Sequence, residues 1–169
     1  MQKFLKNYTS NVPVSETLNS IEKVLLRCGV SGITKEYGPS ARVLAVIFEI
    51  KVADLNMRVR LPANEEAALT ALWMDYVGED RLDSTGLKLE WGYGIRKKKS
   101  KKDFREQAER TAWKIVQDWV EVQMSMIQMK QAEFQQVFMP YIWDGEQTMY
   151  DRVKAGGYRA LLPEKSNAA

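Results

Sequence analysis

Histidine is absent from the 169 residues, and cysteine occurs once. Without histidine there is no Ser-His-Asp or Cys-His catalysis and no imidazole base poised near neutral pH. One cysteine and no histidine leave too few soft ligands for zinc. A lone thiol closes no internal disulfide, which fits a reducing compartment. Cys28, near an expected helix end, reads as a small core residue rather than a reactive thiol. Long apolar runs are missing too. The longest, Val43–Phe48, falls far short of the roughly 18–20 residues a membrane span needs. Met1–Tyr8 holds neither an apolar signal core nor a small-residue cleavage site, so a cytoplasmic location is expected. No phosphate-binding GxxxxGKS/T or GxGxxG motif occurs. Asp75, Glu79, Asp80 and Asp83 lie close together and would suit a metal-dependent nuclease. Their spacing, however, lacks the Asp-x-Asp-x-Asp-Gly pattern and closing Glu of a calcium loop. No catalytic residue, metal ligand or cofactor is assigned, and a non-enzymatic protein is expected.

Apolar residues make up 45% and charged residues 28%, the balance of a globular protein with a real core. The net charge of +3 is unevenly spread. Residues 96–105 hold seven Lys/Arg against one Asp, so this stretch is +6 and the rest of the chain −3. Any polyanion is therefore met through a patch rather than the whole surface.

Residues 1–13 read as a lead-in, because Pro13 discourages helix before it. Ser15 suits an N-cap, Leu18, Ile21, Leu25 and Cys28 recur at helical spacing, and Gly29 stands where a C′ glycine belongs. Gly32–Tyr37 suits a short strand and Gly38-Pro39-Ser40 a turn. Arg42–Ile50 is apolar on both faces, as central strands are. Leu55–Leu61 alternates, placing Leu55, Met57, Val59 and Leu61 inward and Asn56, Arg58 and Arg60 outward. Asn64 caps a second helix whose apolar face is Leu69, Leu72, Trp73 and Tyr76, with Gly78 ending it.

A long helix is expected from Asp103, with Asp103-x-x-Glu106 as its capping box. Phe104, Ala108, Ala112, Ile115, Trp119, Val122, Met126 and Met129 form one apolar line, and Trp113, Val116, Val120, Met124 and Ile127 a second. Unbroken to Met139 it would run about 54 Å at 1.5 Å per residue. That exceeds a small domain's diameter, so a kink near Gln131 is predicted. A short helix around Gln147–Lys154 follows. The fold class is therefore α+β: an α-β-β-β-α unit with an antiparallel sheet (1–78), a basic loop or small hairpin (79–102), a long helix or helical hairpin (103–143) packing on the first unit, then a short helix and flexible tail (144–169).

Arg96, Lys97, Lys98, Lys99, Lys101 and Lys102, with Arg105, are the candidate site. Lysine outnumbers arginine, which favours phosphate neutralisation over base readout. Nearby Trp91, Tyr93 and Phe104 suit base stacking and equally suit the core. Arg58 and Arg60, with Arg42 and Lys35 on neighbouring strands, would extend the basic surface, although outward arginines also serve solubility and edge protection. The methionine-rich helix end (Met124, Met126, Met129) suits either core packing or a homo-oligomer or protein partner.

Gln107–Met124, followed by Phe138, Pro140 and Tyr141, resembles a family of small proteins encoded by phages and prophages. Tyr8, Thr9, Val12, Pro13 and Val14, and the strand end Arg60-Leu61-Pro62, are similar to that family as well, so the likeness spans most of the chain. It implies a phage context inside a bacterial cell and assigns no catalytic residue. The element order is also similar to double-stranded-RNA-binding domains and phage single-strand annealing proteins, at the level of fold. The second helix opens with Asn64, Glu65 and Glu66, where such an RNA-binding domain would carry lysines. The expected function is a phage accessory protein binding nucleic acid, DNA first, through Arg96–Arg105. The alternative is a protein–protein inhibitor or adaptor that blocks a host defence nuclease complex, in the manner of an anti-CRISPR.

Overall fold

Helix α1 (Val14–Arg27) is followed by strands β1 (Gly32–Tyr37), β2 (Val43–Val52) and β3 (Leu55–Pro62), then helix α2 (Glu65–Val77). Further along come the long helix α3 (Arg105–Gln128), α4 (Phe134–Phe138) and α5 (Met149–Gly156). The fold is thus α+β, as the hydrophobic periodicities require. The computed structural model describes residues 5–77 and 99–158. Most of the expected 79–102 loop, and the end of the tail, lie outside the described residues. No described helix is long and apolar enough to cross a membrane.

Two compact units form, each from two separate stretches of chain: Met1–Val24 with Ala63–Val122, and Leu25–Pro62 with Gln123–Ala169. In the first unit α2 and α3 meet through small side chains. Ala68, Leu69 and Leu72 pack with Ala108 and Ala112, and Leu5, Ala63 and Phe104 close over them. The neighbouring Trp113 is fully buried. The lead-in is tied along α3. Gln107 donates to the carbonyls of Tyr8 and Ser10 at 3.0 Å each, and Thr111 donates to that of Asn7 at 3.2 Å. Asn7 donates to Asp118 at 3.0 Å, and Lys6 pairs with the same carboxylate at 2.7 Å. Burial raises the Asp118 carboxyl, but the hydrogen bonds from Asn7 and Lys6 and the charge of Lys114 outweigh it and leave it below the ordinary carboxylate range.

The second unit is built on a three-stranded antiparallel sheet in the order β1-β2-β3, with the doubly apolar β2 in the centre. Ala45, Val46 and Phe48 are fully buried there. Phe138 meets Phe48 edge-on at 5.7 Å and stacks on Phe134 at 4.5 Å, so the short α4 seals this core with two rings. The outer edge of β3 is covered: Trp143 donates to the carbonyl of Arg58 at 2.9 Å, and Ile142 bridges Val59.

Three expectations need correcting. Leu55 does not face in; it stands at the β2–β3 turn, 65% exposed, because the strand's inward face begins only further along, at Val59 and Leu61. Asp103 is not the N-cap. Ser100 is, with its N–H and hydroxyl donating to the Asp103 carboxylate at 2.6 and 3.0 Å, and a 3-10 turn (Lys101–Phe104) leads into α3. The predicted kink near Gln131 is a full stop. Lys130 takes the left-handed conformation (φ 57), Lys130 N–H donates to Ile127 O at 3.0 Å, and Gln131 N–H donates to Met126 O at 2.9 Å. These two bonds are a Schellman termination.

Candidate functional site

The capped turn in front of α3 carries the described part of the basic run. Ser100 and Asp103 lock the turn reciprocally. The N–H and then the hydroxyl of Ser100, with the charge of Lys99, hold the Asp103 carboxyl below its ordinary range. Lys99, Lys101 and Lys102 are all exposed around it. Lys99 sits over the Phe104 ring at 5.6 Å, a cation–π contact, and Lys101 donates to the Thr70 hydroxyl on α2 at 3.3 Å. None of the three forms an ion pair among the described residues. Arg105 differs. Its guanidinium pairs with Glu66 at 2.6 Å, so its charge is matched within the unit. Arg96, Lys97 and Lys98, like Trp91 and Tyr93, lie outside the described residues.

Beside the lysines stands an aromatic cluster that helical periodicity had put in the core. Trp73 and Tyr76 of α2 lie 5.9 Å apart, and Phe104 lies 6.1 Å from Trp73 and 5.0 Å from Tyr76. All three rings are half-buried. The i,i+3 pair on α2 was visible in sequence. Its neighbourhood with the turn was not, because the two segments are joined through residues 78–98.

Arg58 and Arg60 belong to the other unit, and neither is left with an unmatched charge. Arg58 pairs with Glu49 at 3.1 Å across the β2–β3 ladder and lies 5.5 Å from the Trp143 ring. Arg60 grips Glu36 on β1 with two bonds, 2.8 and 3.0 Å. That paired hydrogen bond holds the Glu36 carboxyl below its ordinary range. Arg60 also forms one wall of a cleft of about 540 Å³, lined besides by Glu36, Trp143, Gln147, Thr148 and Asp151. Acidic groups outnumber the arginine there, so this cleft does not extend a basic surface.

The remaining candidates are less eventful. Cys28 is half-buried with Gln128 Nε2 at 3.9 Å from its sulfur, and burial pushes its thiol up, away from the reactive thiolate. Met124 is buried and Met126 half-buried, whereas Met129 is 61% exposed. Glu79, Asp80 and Asp83 lie outside the described residues; among the described residues no group of three metal-ligating side chains converges. Comparison with protein-family models, with curated proteins and with solved structures returns no match.

Proposed function

We propose that this chain is a non-enzymatic accessory protein of phage origin that binds nucleic acid through Lys99, Lys101 and Lys102. The observation that carries the reading is the capped turn itself. Three ammonium groups stand exposed within four positions, and no described carboxylate takes any of them as an ion-pair partner. Lysines so placed neutralise phosphate and release counterions without selecting bases. Arg105 stiffens the support through Glu66 rather than adding a free charge, and Arg58 and Arg60 are spent on their own sheet.

Fluorescence anisotropy with single- and double-stranded DNA and RNA across a salt series tests this. If the three lysines alone meet phosphate, log K falls with log salt at a slope of about −2.7 on duplex DNA; a steeper slope reports further contacts from Arg96, Lys97 and Lys98. The variant Lys99→Gln/Lys101→Gln/Lys102→Gln should flatten the slope by that amount. Absence of binding at low salt, or an unchanged slope in the variant, sinks the reading. The inhibitor reading, in which the lysines meet an acidic protein surface, would then replace it.

A further inference from the structure

We infer that the nucleic acid is single-stranded, with a base stacked on Trp73 while its flanking phosphates meet Lys99, Lys101 and Lys102. This rests on the nucleic-acid reading and names its ligand class. Trp73, Tyr76 and Phe104 form one half-buried group whose interplanar angles are 32°, 65° and 50°, so none of these rings is laid flat upon another. Lys99 covers part of Phe104, which leaves the indole of Trp73 as the largest π surface beside the lysines among the described residues. Thr70, which anchors Lys101 at 3.3 Å, lies one helical turn before Trp73 on the same face of α2. The Lys101 ammonium is therefore held on the helical turn next to Trp73, and Phe104 contacts both Lys99 and Trp73. An aromatic surface flanked by lysines is the arrangement that binds unpaired strands, because every base offers a π-face and every nucleotide a phosphate. In a duplex the bases are stacked on one another and withhold those faces, so only the lysine contacts would remain.

The experiment uses the full chain with fluorescein-labelled oligo-dT and oligo-U strands and a DNA duplex of equal length. Wild type should bind a single strand more tightly than the duplex, and the dT and U arms separate DNA from RNA. Trp73→Leu should weaken single-strand binding about 5- to 150-fold, leave duplex binding unchanged and keep the wild-type circular dichroism. Trp73→Phe should recover most of the loss. If the lysine variant loses binding while Trp73→Leu binds single strands as wild type does, stacking is wrong and the phosphate reading stands. If no oligonucleotide binds at all, both fall. Should Trp73→Leu not fold, ultraviolet crosslinking of wild type to a 5-bromouracil strand decides: adducts on Trp73, Tyr76 or Phe104 support stacking, and adducts confined to other residues overturn it.

Discussion

Asp144 shows how a single exposed carboxylate can organise a loop. It accepts the N–H groups of Glu146 and Gln147 at 2.8 and 2.9 Å and pairs with Arg152. The Gln147 and Glu146 bonds first, and Arg152 after them, hold its carboxyl far below the ordinary carboxylate range. A depressed carboxylate stabilises the folded state above its unfolded pKa of about 3.9, and that contribution is lost as pH falls through the folded value. Asp144→Asn keeps an oxygen for the two N–H groups but not the charge. Thermal melts should therefore show a lower Tm than wild type at pH 7, with the gap closing as the pH drops below about 4. A gap that is constant from pH 7 to pH 2 would contradict the assignment. The same residue scale shows why Arg58 and Arg60 misled: sequence displays their charge but not Glu49 on the adjacent strand and Glu36 one strand further across the sheet, which neutralise it.

Among the elements, the two helix ends of α1 and α3 make a natural comparison. Both close with the same pair of backbone bonds: Gly29 N–H to Leu26 O with Val30 N–H to Leu25 O, and Lys130 N–H to Ile127 O with Gln131 N–H to Met126 O. Gly29 adopts φ +86 at no steric cost, and a Cβ there would meet nothing within 4 Å. Lys130 adopts φ 57 with a Cβ in the way. Lys130→Gly should thus stabilise the protein by about 1 kcal/mol and Gly29→Ala destabilise it by a similar amount. Urea unfolding would measure both, and a Lys130→Gly variant less stable than wild type would refute the comparison. Legibility follows the same line. Gly29 announced its helix end in sequence; Lys130, a good helix former, announced nothing, so a full stop read only as an expected kink. The Thr148–Asp151 capping box, by contrast, starts α5 from purely local bonds of 2.6–3.2 Å, and a helix there was foreseen.

Across the whole molecule, the chain leaves and re-enters each compact unit, changing at Val24, Pro62 and Val122. A fragment of residues 63–169 would lack the Leu25–Pro62 sheet of one unit and the chain up to Val24 of the other. It should show no cooperative thermal transition by circular dichroism; a sharp melt near that of the full chain would mean that one unit folds from only one of its two stretches. What the amino-acid sequence determined by itself was the set of elements, including the three strands with β2 central, the long helix and the basic approach to it. Each of these is written in periodicities, turn residues and caps that act within about four positions along the chain. Only the tertiary structure decided which surfaces meet: the lead-in fastened along α3 by Gln107 and Thr111, the arginines of β3 matched by carboxylates, and Phe104 brought against Trp73, with Lys101 on Thr70. Those pairings join residues from 9 to 104 positions apart, and they are selected by the packing of whole faces after loop-closure entropy has been met, which no pattern within a helical turn records.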